Sequence, residues 1–158
     1  LPLEIDVPET VYKTQSNRMP RLDDYFYNSY FSVVTEGDFW SDSNKKQFTE
    51  KVIKCFLYYH PFVVIGLPYT LSLLRDMGFL TFSSIIDERY DEIEDDQKRL
   101  EAALNEVKKL CSLNINQLHS MYEKMLPILD HNRKMIAQHN STPTPAKLAN
   151  EILQWYLY

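Results

Sequence analysis

The chain has 158 residues, 44% hydrophobic and 25% charged, which is the make-up of one globular domain and excludes a disordered or fibrous polymer. Its 22 acidic side chains against 17 basic ones leave a net charge of −5, the wrong sign for holding nucleic acid by phosphate neutralisation. The three glycines form no Gly-x-Gly-x-x-Gly or Walker loop, which argues against a phosphate site built on a Gly-rich turn, and no apolar run has the length of a membrane span.

Aromatic residues reach 13%, enough for a substantial core at this length. No signal-peptide pattern stands at Leu1, and opening on Leu rather than Met points to a piece of something longer. Cys55 and Cys111 both fall within apolar helical patterns, as reduced, partly buried thiols of a cytoplasmic protein would.

Pro2, Pro8, Pro20 and the polar stretch 14–17 interrupt every periodicity over residues 1–28, which read as an extended arm. An α/β domain with a helical extension is expected over 29–140. Residues 30–35, Tyr-Phe-Ser-Val-Val-Thr, predict a first strand. Phe48, Val52, Ile53, Phe56 and Leu57 recur at helical spacing until Pro61 stops them. Phe62-Val63-Val64-Ile65 is a continuous apolar run ended by Gly66, which suits a buried parallel strand. Pro68 opens a helix through Leu71, Leu74 and Met77, capped by Gly78, and residues 79–82 predict a third short strand. This strand and helix alternation predicts an α/β fold with a small parallel sheet.

The remainder is helical. Asp95 or Asp96 caps a helix to about Cys111 with Leu100, Leu104, Val107 and Leu110 on one face. Asn114 caps a longer one carrying Leu118, Met121, Met125, Ile128 and Leu129, with a bend expected at Pro127. A C-terminal helix is expected over 141–158, ending on an apolar Trp155-Tyr156-Leu157-Tyr158 segment suited to packing against a partner.

The most informative stretch for chemistry is Phe48-Thr49-Glu50-Lys51. Thr49 is placed to cap the helix, leaving Glu50 and Lys51 in a first turn rich in backbone N–H groups, where phosphates bind in parallel α/β folds. Alone, the tetrapeptide describes any capped helix. The acid-rich run 87–96 reads as a solvated loop preceding a helix, since its spacing is not that of a calcium loop. Arg75 and Arg89 read as surface ion pairs with those acids. His119, His131 and His139 are spaced onto different faces, and His60, near the sheet edge, reads as structural. The aromatic cluster 25–31 reads as core and interface, because no basic residues interleave with it.

In sequence, residues 30–36, 48–54 and 60–66 resemble the donor-binding half of GT-B glycosyltransferases of the α-1,3-fucosyltransferase type. That family has a strand ending in an acid, a Thr-Glu-Lys helix start, and a Pro-led apolar strand ending in Gly. Residues 74–82 and 86–91 resemble a glycosyltransferase-like group from phages and large viruses, so the resemblance spans about 28–135. It implies a Rossmann-like half of GT-B. Glu36 matches the strand-end acid facing the donor, Glu50 the acid that contacts ribose or sugar, Lys51 the lysine on the pyrophosphate, and Gly66 the small residue beside the donor. The implied donor is a nucleotide sugar, with GDP favoured, transferred to a glycan acceptor by an inverting reaction that uses no cofactor and no metal motif. Two departures stand out. The acceptor lobe that supplies a catalytic base is not in these residues, and Gly37 stands where the family usually places Asn. The alternative is a domain of that descent that serves only as an interaction or structural module.

Overall fold

The computed structural model describes residues 22–40 and 47–138, which form a mixed α/β unit. In chain order these are α1 (Leu22–Tyr27), β1 (Ser32–Thr35), α2 (Glu50–Leu57), β2 (Phe62–Ile65), α3 (Thr70–Asp76), a 3-10 turn (Glu88–Glu92), α4 (Asp96–Cys111) and α5 (Ile115–Gln138). The last part of the expected arm, Leu22–Tyr27, is therefore helical. The rest of the arm and the expected C-terminal helix lie outside the described residues.

β1 and β2 pair in parallel with Ser32 opposite Phe62 and Thr35 opposite Ile65. Both strands are short and rich in valine, as a pleated surface favours. β2 is the buried strand, with Phe62, Val63 and Val64 each at most 2% exposed. α2 crosses between the two strands and packs on both of them and on α5, while α4 packs on β2 and the 3-10 turn. Val52, Ile53 and Phe56 of α2 are sealed in the core, as their helical spacing predicts. Phe56 stacks on Phe79 with centroids 4.8 Å apart, and Phe62 meets Phe82 edge-on at 5.4 Å. These rings join the sheet to the segment after α3.

That segment corrects the sequence reading, because residues 79–82 pair with no strand among the described residues. Their backbone is held by side chains instead. Asn132 of α5 accepts from Leu80 N at 2.8 Å and donates to Leu80 O at 2.8 Å, occupying both groups that a neighbouring strand would take. Glu88 accepts from Phe82 N at 2.6 Å. A short, mostly apolar run such as Phe79-Leu80-Thr81-Phe82 looks the same to periodicity whether its partner is a strand or an asparagine.

Helix ends follow their expected chemistry. Asp95 accepts from Lys98 N at 2.9 Å, and Asn114 and Gln117 exchange reciprocal bonds of 2.9 and 3.0 Å. α3 ends with Gly78 at φ +91°, Phe79 N bonded to Leu74 O and Gly78 N to Arg75 O, the Schellman arrangement. α2 ends in the same way, with His60 N on Cys55 O and Tyr59 N on Phe56 O. There the left-handed position is held by Tyr59, at φ 55°.

On α4 the inward face differs from the expected one. Arg99, Ala103, Glu106 and Leu110 are buried, whereas Leu104 is exposed and Leu100 and Val107 are half-buried. The helix turns this way because Glu106 accepts from Asp87 N at 3.3 Å and Arg99 finds the backbone partners described below. α5 buries Met121, Met125, Leu129, Asn132 and Ile136, and its helical bounds run through Pro127 without a break. Cys55 is buried and free, its thiol pushed up to about 12 by burial, and Cys111 is free and exposed.

Candidate functional site at the carboxyl end of the strands

A parallel strand pair gathers the residues that follow each strand at one edge, which is where α/β folds bind ligands. Glu36 follows β1 and Gly66 follows β2, with Glu36 N bonded to Ile65 O at 2.9 Å. The two are so close that a methyl group on Gly66 would stand 3.3 Å from Cβ and Cγ of Glu36. A side chain here has room only if Glu36 gives way by a few tenths of an ångström.

The Glu36 side chain, 2% exposed, points to the start of α2. It accepts from Thr49 N at 2.9 Å and from the Thr49 hydroxyl at 2.6 Å. The hydroxyl in turn accepts from Lys51 N at 3.4 Å, completing the helix cap. Lys51 Nζ lies 3.8 Å from Glu36 Oε2, while its side chain stays 42% exposed. The structure thus brings together Glu36, Thr49, Lys51 and Gly66. Glu50 stands apart from them, turned along the helix to Lys54 at 3.9 Å, a neighbour one turn on.

This cluster has a definite electrostatic character. Glu36 is an internal anchor whose oxygens are taken by Thr49, and Lys51 is the cation that reaches solvent. A helix N-terminus and an exposed ammonium side by side can receive an anion.

The start of α3 offers no such opening. Tyr69, at φ 65°, provides no side-chain cap for that helix. The buried carboxylate of Asp91 sits there instead, accepting from Leu71 N at 2.9 Å and Ser72 N at 3.0 Å. Glu88, three residues earlier in the 3-10 turn, is buried beside Arg75 at 3.1 Å and the Thr81 hydroxyl at 2.7 Å. The acid-rich run is therefore not wholly a solvated loop, because two of its acids fold inward as anchors. Burial pushes both carboxyls above the usual range, against the opposing hydrogen bonds. Arg89 pairs with Asp87 at the surface, as expected.

Arg99 is the principal residue that sequence reasoning did not single out. It is 3% exposed and uses all five of its N–H donors. Nε donates to Gly66 O at 3.0 Å, and Nη1 to Ile93 O and Glu94 O at 2.9 and 3.1 Å. Nη2 donates to Phe39 O and Asp96 Oδ1, both at 2.6 Å. One guanidinium thus ties the loops after β1 and β2 to the start of α4, behind Gly66. In the sequence it stands beside the apolar stripe of Leu100, Leu104, Val107 and Leu110, where a charge reads as solvent-facing.

His60 is structural, as expected. Its Nε2 donates to Ser29 O at 2.9 Å, which fixes the proton on that nitrogen, and Nδ1 accepts from the Ser32 hydroxyl at 2.7 Å. His131 contacts Gly78 O, and His119 pairs with Glu123, while His139 lies outside the described residues. Among the described residues no three His, Cys, Asp or Glu side chains are grouped to hold a metal ion, and no helix is long and apolar enough to cross a membrane.

The class defined by these features is an α/β domain whose parallel strand pair sets a buried glutamate beside an exposed lysine at a helix start. Comparison with known proteins adds no name: no family model, no curated protein and no solved structure is significantly similar to the chain.

Proposed function

We propose that the chain is the donor-binding domain of a glycosyltransferase of the fucosyltransferase-like type, which holds a nucleotide-diphosphate sugar, GDP-linked by preference, at the start of α2. The observation that carries this reading is the convergence of Glu36, Thr49, Lys51 and Gly66, with the Lys51 ammonium left accessible. In this reading the diphosphate meets Lys51 and the α2 amides, which stabilise charge developing on the leaving group. Glu36 holds the helix start rather than the sugar. Glu50, turned to Lys54, has to swing to reach a ribose or sugar hydroxyl. Transfer to a glycan acceptor needs a catalytic base from a second lobe.

Calorimetric titration with GDP, UDP and CMP tests the reading directly. GDP is expected to bind, and Lys51→Ala to weaken it about tenfold, the effect of one charge-assisted contact of roughly 1.4 kcal/mol. Affinity unchanged in that variant, with the fold intact by circular dichroism, would overturn the assignment.

A second reading is favoured by the internal saturation of Glu36. A carboxylate whose partners all come from Thr49 and Lys51 is what a domain retained as an interaction or structural module would keep. The absence of binding by any of the three nucleotides decides for it.

A further inference from the structure

The opposite end of the strand pair carries a second feature. A cavity of about 620 Å³ opens beside the residues that lead into β1 and β2, Ser29 and Tyr30 on one side and Tyr59 and His60 on the other. That volume falls in the range of small-molecule sites, on the order of 300–1,000 Å³. Glu36 and Gly66 follow the strands, so this cavity and the Lys51 cluster are at different ends of the sheet.

Its walls are aromatic. Phe26 and Tyr58 are stacked with centroids 4.6 Å apart and planes 9° from parallel, and Tyr27 meets Tyr58 edge-on at 6.5 Å. Tyr30 stands edge-on to Tyr122 at 6.1 Å. Tyr27 is 75% exposed and so offers ring surface that the fold does not use.

The charge of the lining is one-sided. Arg133 lines the cavity as a permanent cation and, among the described residues, no Asp or Glu lines it, in a chain whose net charge is −5. Two acids that contact lining residues are already engaged: Asp130 accepts from the Tyr59 hydroxyl at 2.7 Å, and Glu123 pairs with His119 at 3.5 Å. Arg133 lies over the Tyr59 ring at 4.8 Å and gives one N–H to Leu57 O at 3.3 Å. Its other donors have no acceptor among the described residues.

Backbone strain is placed at the same wall. Tyr59 occupies the left-handed position that ends α2, where α3 uses Gly78. A bulky residue there is disfavoured, and such outliers collect at ligand sites. Here the exchange of Gly for Tyr supplies the ring on which Arg133 rests, and the backbone carbonyl of this turn accepts from the Tyr122 hydroxyl at 2.9 Å.

We propose that this cavity is a binding site for a small planar aromatic molecule carrying an anionic group, with its ring against the Tyr27 and Tyr58 wall and its charge on Arg133. Calorimetry on the full chain with phenyl phosphate, benzamidine and inorganic phosphate tests each element of that description. Phenyl phosphate is expected to bind at one equivalent, and the cation and the ringless anion at least about tenfold more weakly. Arg133→Gln and Tyr27→Ala, both at exposed positions, are each expected to weaken phenyl phosphate about tenfold. Lys51→Ala is expected to leave it unchanged, which separates this site from the nucleotide site. Lack of saturable binding, equal affinity for benzamidine or inorganic phosphate, or loss in Lys51→Ala rather than in Arg133→Gln would each overturn the proposal.

Discussion

Thr49 performs two tasks with one side chain, capping α2 and satisfying a buried carboxylate. Thr49→Ala removes both and leaves Glu36 short of a partner, so it is expected to lower stability by about 2 kcal/mol in urea unfolding. Thr49→Ser keeps the hydroxyl and is expected to retain most of that stability. His60 offers a pH signature. Burial depresses its pKa below the usual 6.5, so the folded state resists the proton that the unfolded chain accepts. Its contribution is present above pH 6.5 and is lost as the pH falls below that value. Denaturant midpoints at pH 7.5 and 5.5 are expected to show this loss, and His60→Gln to reduce it. The cap at Thr49 was legible in the sequence, because residue type and position within the first turn suffice to name it. The turn of Glu36 toward Thr49 was not, since it brings together residues thirteen positions apart in the chain. Arg99 was illegible for the same reason, its partners lying as far as Phe39.

At the scale of elements, what substitutes for regular pairing is as informative as the pairing. Asn132 does for residues 79–82 what a third strand was expected to do. Asn132→Ala removes the partner of both part-buried backbone groups of Leu80 and is expected to cost about 1–2 kcal/mol. Asn132→Asp keeps the acceptor but loses the donor to Leu80 O, so it is expected to remain destabilising at neutral pH, measured by the same unfolding curves. The order of helices and the two paired strands were readable from period and punctuation, because each signal lies within about a dozen residues. The false third strand and the inward side of α4 share one cause. Both are decided by polar partners distant in sequence, Asn132 for one and the carbonyls around Arg99 for the other, and a hydrophobic pattern does not register polar partners.

Across the whole molecule, buried charge is arranged as a set of fasteners. Glu36, Asp91 and Arg99 each join a loop to a helix start, and together they frame the carboxyl end of the strand pair. The opposite end is framed by rings and histidines and holds no acid in its cavity. A chain with an overall negative charge thus presents cationic groups at both ends of its sheet, Lys51 at one and Arg133 at the other. The candidate nucleotide site was legible as a tetrapeptide and a neighbouring glycine. The aromatic cavity was not, because its lining is drawn from α1, the turn after α2 and two separated turns of α5.

The two strands also differ in what their outer edges offer. On β2, the Val64 amide is taken by the Tyr90 hydroxyl at 3.2 Å, a phenol that burial keeps protonated far above its ordinary range. On β1, Val33 and Thr35 are exposed, and the neighbouring amides Ser32 and Glu36 are the ones turned inward to Pro61 and Ile65. One border of the sheet is sealed by a side chain, and the other remains, among the described residues, unclaimed. Among the described residues, the edge of this sheet with room for lengthening is therefore the one along β1.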